Sequence, residues 1–379
     1  MAEIAGAEIA GVPAEFYAPT DGSLELPLTI EEISPEFLSA ALAERFPGVG
    51  VSGFNIVNVH HGFTTIVRLD LEFEEGGKVA GVPSRLILKG GFEPTTRGIA
   101  GDFAIGPFLM ETGAYKVMKP DLGLNMPDCF FAQVDVEAKQ VILLMEDLLE
   151  RDARFGHGLV PHTVDQVRRR LTSLAEFHAR SWGSGELEGR WALFARNPAR
   201  IFRGYIDHVA QPEEWKKFCG LPRGAAVAVE FHDRDWVVRA MDYMTGLSDS
   251  LPNCVIHGDT HAGNLFEEPD GTPGFYDSLP MRTAPMIEIS YFITNVLDHG
   301  ERRRNDRDLV AHYRDVLLRN GVAAPSLDEL MHQFAAFLPF GFATFMVNST
   351  TYQTESFNTA HTARYNIAML DHKTRDIIA

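Results

Sequence analysis

The spacing of the apolar residues changes once along this chain, and that change limits the fold more than any other feature. Thr65, Val67, Leu69, Leu71 and Phe73 alternate with more polar partners, the pattern of a half-buried strand. Gly76-Gly77 makes a turn, and Arg85–Lys89 reads as another strand, closed by Gly90-Gly91. Phe130–Val134 and Gln140–Met145 read as the two strands of a hairpin. From Glu146 onward the texture becomes helical. Val164, Val167, Leu171, Leu174 and His178 recur in steps of three and four, a long amphipathic helix. Further helices are expected near 225–246, 286–298, 305–319 and 326–347, the last kinked at Pro339. A β-rich segment thus precedes a larger helical one, with the boundary at Glu146-Asp147-Leu148.

Within the first segment, Thr29 and Glu32 have capping-box spacing, and a helix is expected over 34–45. A second helix is expected from Pro107 through Met118. The expected organisation is α+β: an N-terminal arm over 1–28, a small antiparallel lobe over 29–148 with one key helix, and a mainly helical lobe over 149–379. Two lobes of unlike texture imply a cleft, a preferred small-molecule site.

Composition removes several classes of function. The chain has 52 acidic and 34 basic residues, a net charge of −18, which disfavours nucleic-acid backbones and anionic membranes as partners. Its three cysteines are far apart and form no CxxC, so neither a disulfide framework nor a cysteine zinc site is readable. No secretion-signal pattern opens the sequence and no long apolar run suggests a membrane span, so a cytoplasmic setting is the expectation. There is no GxxxxGK[ST] phosphate loop and no GxSxG elbow.

The stretch that carries chemistry is VIHGDTHAGNLFEEPDGTPGFYD, residues 255–277. It reads as two short strands around a Pro-Asp-Gly turn, with Asp259, Asn264 and Asp277 brought to one end. One Asp, an Asn five residues later and a second Asp eighteen residues later suit phosphoryl transfer. That reaction needs a carboxylate to orient the attacking hydroxyl, and hard oxygen ligands for Mg2+.

His257-Gly258-Asp259-x-His261-x-x-Asn264, followed by Asp277 at the end of the next strand, resembles the aminoglycoside phosphotransferase and choline kinase superfamily. Other stretches resemble it in order. Lys89 lies where the nucleotide lysine does. Glu111, with Tyr115 four residues on, resembles its helix partner. Gly62, Thr64 and Thr65 lie in the place of the phosphate-covering loop. Glu146, Asp147 and Leu148 resemble the adenine-binding hinge. Leu174-Ala175-Glu176-Phe177-His178-Ala179 with Trp182 resembles the ecdysteroid-kinase-like branch, and the resemblance spans roughly 35–300. It implies a bilobal protein-kinase-like fold and use of ATP and Mg2+ on a small-molecule hydroxyl acceptor. Asp259 would be the catalytic base, with Asn264 and Asp277 as metal ligands. The alternative is a weak or inactive nucleotide-binding or small-molecule-binding relative.

The sequence departs from the family after Asp277, where Ser278-Leu279-Pro280 follow, and at Glu288-Ile289-Ser290-Tyr291-Phe292, where Asp-Leu-x-Tyr-Phe is common. Both changes bear on the acceptor-side wall and on support of the catalytic loop. The spacing of His257 and His261 also fits zinc, but the HExxH glutamate is absent and Gly258 and Gly263 oppose a helix there. The phenylalanines at 334, 337, 340, 342 and 345 read first as core and second as an apolar acceptor wall. An aminoglycoside, a choline-like amine, a sterol-like alcohol and a hydroxyacyl compound all remain open as acceptors.

Overall fold

The computed structural model describes residues 24–94 and 101–378, so most of the expected arm, residues 1–23, lies outside the described residues. The chain divides into two compact units. One runs to Asp121 and adds Asn125–Arg154; the other comprises Leu122–Leu124 and Phe155–Ala379.

The first unit is built on an antiparallel sheet of β1 (Val51–His60), β2 (Thr65–Phe73), β3 (Arg85–Gly90), β4 (Cys129–Asp135) and β5 (Gln140–Glu146), in spatial order β1-β2-β3-β5-β4. Alternation sorts its faces. Val67, Leu69, Leu86, Leu88, Ile142 and Leu144 point to one side and form a core with Leu38, Ala41 and Leu42. Those three come from α1 (Pro35–Ala43), whose start is fixed by Pro35 and by the Ser34 hydroxyl accepting the Phe37 N–H at 3.1 Å. The Thr29–Glu32 pair marks a separate short turn, where the Glu32 carboxylate accepts the N–H groups of Leu28 and Thr29 at 2.6 and 3.3 Å. Lys89, one position after Leu88 and cross-strand from Ile66 and Leu143, belongs to the opposite face.

The helix expected to begin at Pro107 instead runs through it, as α2 (Gly101–Gly113). Ile105, Phe108 and Leu109 flank the proline at helical spacing and are all buried, and this burial outweighs the missing N–H. A π-helical turn, Ala114–Met118, follows and carries the buried Tyr115.

The second unit is mainly helical. α3 (Val164–Ser181) opens on a Thr163–Gln166 capping box and buries Val167, Leu171, Leu174 and His178 of the stripe read from the sequence, with Phe177 beside them, while Val164 at its start is only half-buried. α4 (Pro198–Val209) and α5 (Pro212–Gly220) were not foreseen. The helix expected from 225 begins later, as α6 (Arg234–Ser250), because the Asp233 carboxylate caps it by accepting the Trp236 N–H at 3.0 Å. α7 (Met286–Val296) is buried on every side. α8 (His299–Arg319) begins earlier than expected because Asp298 accepts the N–H groups of Gly300 and Glu301 at 2.7 and 3.0 Å. α9 (Leu327–Val347) contains Pro339 and packs against α7 and α10 (Glu355–Asp371). α9 is long and apolar enough to cross a membrane, but 78% of its most apolar window is buried inside the structure, as in a core helix.

Short strands position the polar loop. β6 (Ala195–Arg196) and β7 (Cys254–Ile256) flank β10 (Met281–Thr283), and β8 (Leu265–Glu267) pairs with β9 (Pro273–Phe275) as a hairpin. Arg170 of α3 is buried and donates to the carbonyls of Phe266 and Gly274 at 2.8 and 3.1 Å, gripping both arms of that hairpin.

Candidate functional site

β7 delivers the chain into His257-Gly258-Asp259. Gly258 has φ +91°, and a Cβ there would lie 1.9 Å from the Leu279 carbonyl oxygen, so no other residue fits without a shift. The turn is held from below by Glu288 of α7. Its carboxylate accepts the N–H groups of His257 at 3.2 Å and Gly258 at 2.7 Å, and contacts His178 Nε2 at 2.9 Å. The other nitrogen of His178 meets the Tyr313 hydroxyl at 2.8 Å. Burial pushes the Glu288 carboxyl up, but the His178 hydrogen bond and charge, with the His257 charge and the Gly258 N–H, hold it below the ordinary carboxylate value. Glu288 is therefore an anion spent on shaping the loop. Burial holds His257 below the usual imidazole range against the opposing carboxylates of Glu288, Asp259 and Asp277.

Asp259 stands above this support with its side chain 30% exposed. Oδ1 accepts the hydroxyl of Tyr291 at 3.1 Å, and Oδ2 accepts Nδ2 of Asn264 at 3.0 Å. Burial, and then the nearby Asp259 charge, push the Tyr291 phenol well above its ordinary value, so it remains a donor. His261 Nδ1 accepts the Gly263 N–H at 2.9 Å, which assigns the proton of the neutral ring to Nε2, 3.6 Å from Asp259 Oδ2. Asn295 of α7 holds the next turn by accepting the Ala262 N–H at 2.9 Å.

Asn264 also donates to the Asp259 carbonyl at 3.0 Å, which turns its amide oxygen, Oδ1, away from Asp259. Its own carbonyl accepts the Tyr276 N–H at 3.0 Å, so the hairpin register sets Asp277 one residue beyond that bond. Asp277 adopts φ +53°, a left-handed conformation that Asp tolerates better than most residues. An amide oxygen and a carboxylate are each hard-oxygen donors of the kind Mg2+ takes, with waters and phosphate oxygens as its other ligands. Among the described residues, no group of three or more His, Cys, Asp and Glu side chains is arranged to hold a metal, and both candidate zinc histidines use Nδ1 to accept a backbone N–H.

The two departures from the family pattern prove to be structural contacts. The Ser278 hydroxyl donates to the His257 carbonyl at 2.8 Å, beside the Leu279 N–H at 2.9 Å. Glu288 makes the contacts described above. Glu288 was singled out only as a departure bearing on loop support, and Tyr291 and Asn295 were not assigned as site residues. Their spacing of three and four along one helix was the available signal, because it places all three on one face.

In the first unit, Lys89 Nζ and Glu111 Oε1 are 2.6 Å apart, and both side chains are buried. Gly62 and Thr64 lie in the connection between β1 and β2. Thr65 is the first residue of β2; it is fully buried, and its hydroxyl donates to Glu93 at 3.1 Å. At the expected hinge, Glu146 ends β5, and its carboxylate accepts the Asp128 N–H at 2.7 Å. Asp147 is buried against Arg68 at 2.8 Å and accepts the Leu149 N–H at 3.1 Å, while Leu148 opens a short helical turn.

No family model and no curated protein matches the sequence. Among solved structures, the chain is similar to choline kinase LicA from Streptococcus pneumoniae, with a TM-score of 0.51 and 11% identity over 89% of this chain and 98% of that one. It is also similar to the GDP complex of aminoglycoside 2'-phosphotransferase-IIIa (TM-score 0.49, 10% identity, 91% and 100% of the two chains). A third is macrolide 2'-phosphotransferase MphH from Brachybacterium faecium (TM-score 0.44, 11% identity, 86% and 97%). With an antiparallel sheet unit followed by a mainly helical one, the chain has the kinase-like fold it shares with choline kinase LicA.

Proposed function

We propose, from the fold shared with choline kinase LicA and from the loop chemistry, that this chain transfers the γ-phosphoryl group of ATP to a hydroxyl of a small molecule. The observation that carries the reading is Asp259. Two side-chain donors, Tyr291 and Asn264, fix its carboxylate, part of which stays open to solvent.

Asp259 orients the acceptor hydroxyl and takes its proton as the bond to phosphorus forms. Tyr291 and Asn264 keep the carboxylate in one orientation, so the hydroxyl meets a preset oxygen. Asn264 and Asp277 would hold Mg2+, which supplies positive charge against the phosphate oxygens when bound. Lys89, aimed by Glu111, neutralises phosphate charge, the connection with Gly62 and Thr64 covers the nucleotide, and the backbone at 146–148 receives adenine.

The test is Asp259→Asn, which keeps the shape and removes the base. Turnover should fall by about a thousand-fold while nucleotide still binds. Near-normal turnover would remove Asp259 from this role.

A further inference from the structure

Beside Asp259 the second unit gathers aromatic rings from three helices. Tyr291, whose hydroxyl is on Asp259, has its ring centroid 5.9 Å from Phe340 of α9. Phe340 in turn lies 5.7 Å from Phe202 of α4, which is 5.5 Å from Tyr205. Phe340, Phe202 and Tyr205 are only half-buried, so the array runs from the carboxylate to accessible surface.

The chain beside this array carries no charge. From Leu330 to Thr354 there is no Asp, Glu, Lys or Arg in a protein whose net charge is −18. The first acid beyond it, Glu355, is engaged by Arg223 through Nε at 3.1 Å and Nη2 at 2.5 Å. On α4, Arg203 next to Phe202 is ion-paired with Asp207 and Asp242. Burial, then the charges of Arg364 and His261, hold His361 well below its ordinary value, so it adds no charge behind Phe345.

A ring attracts a cation through its face, whereas its edge carries positive potential. Here the inner faces are taken. Tyr291 stacks on Phe345 at 12°, and Phe345 stacks on Tyr365 at 20° and on His361 at 29°. Phe202 and Phe340 meet edge to face at 70°. The arrangement offers half-buried ring area beside a stretch of chain without acidic residues, which suits a flat uncharged body better than an ammonium group.

We infer that the acceptor is an uncharged alcohol with a flat apolar body that lies on Phe340 and Phe202 and presents its hydroxyl to Asp259. The inference rests on the kinase reading for the role of Asp259, and its test is a binding measurement that stands apart from turnover.

The experiment is calorimetric titration of the full chain, with and without a non-hydrolysable Mg·ATP analogue. The probes are choline, its uncharged isostere 3,3-dimethylbutan-1-ol, and 2-naphthaleneethanol. The naphthyl alcohol should bind tightest, and choline should bind about ten-fold or more weaker than its isostere. Phe340→Ala should weaken the naphthyl alcohol by about ten-fold, with Phe202→Ala as the second variant and circular dichroism as the check that each has folded. The inference is overturned if choline equals or exceeds its isostere, if no alcohol binds saturably, or if binding is indifferent to both variants in folded protein. Phosphoryl transfer to the bound alcohol is measured separately: the expected binding order without transfer would sink the kinase reading and leave the ligand class standing.

Discussion

Tyr291 donates its hydroxyl to Oδ1 of Asp259 across 3.1 Å, from a helix of which every residue is buried. The bond therefore has a rigid origin. Tyr291→Phe keeps the ring stacking and deletes the donor. A hydrogen bond to a charged group contributes roughly 1.5–3 kcal/mol, so turnover should drop by about ten- to a hundred-fold with the melting temperature nearly unchanged. Steady-state kinetics beside a thermal melt check this; unchanged turnover would show that Asn264 alone suffices.

Gly258→Ala should damage the loop itself. The added methyl would meet backbone at 1.9 Å in a left-handed conformation. A cost of about 2–4 kcal/mol is expected, together with loss of turnover, because the loop must move to relieve the clash. Chemical denaturation gives the stability change, and a variant as stable as the parent would contradict the geometry.

The Lys89–Glu111 pair predicts asymmetry between single and double substitutions. Removing one partner takes the 2.6 Å counter-charge from a buried ion and costs about 3–5 kcal/mol, whereas replacing both is far milder. Glu111→Leu should therefore destabilise more than Lys89→Met with Glu111→Leu together. Both should bind nucleotide weakly. Urea melts and nucleotide titrations on the two variants separate the structural from the functional loss.

Stability should fall in mild acid. Burial lowers the His162 pKa from 6.5 to about 4, and His257 and His361 are lowered for the same first reason. In the unfolded chain these rings take up protons below pH 6.5, and in the folded chain they resist. The unfolded state thus binds more protons in that window, and stability is lost as pH drops from 6.5 toward 4. Glu288, whose folded value is depressed, adds a second loss as pH falls below its unfolded value of 4.5. Denaturation curves across this range should show the decline, and His162→Gln should shrink it by an amount on the order of 1–2 kcal/mol.

Parts of the fold were legible because one face of an element was buried. β2 declares itself since Thr65, Val67, Leu69 and Leu71 are buried and their neighbours are not. β1 escaped because most of its residues are exposed and it lies at the sheet edge, with no alternation to read. The bounds of α6 and α8 shifted because capping carboxylates, Asp233 and Asp298, set them more firmly than apolar spacing did. The grouping of Asp259 with Asn264 was legible from a short loop between strands. Glu288 and Tyr291 were not, because α7 is buried all round and gives no polar face against which a functional residue stands out.

Arg170 crosses from α3 to the carbonyls of both hairpin arms, Phe266 and Gly274. The hairpin therefore has no breathing mode of its own. In a hydrogen-exchange experiment the amides of Leu265 and Phe275 should open together with the middle of α3, as one cooperative unit. The Asn264 and Asp277 ends of that hairpin would then keep their spacing until the whole unit gives way.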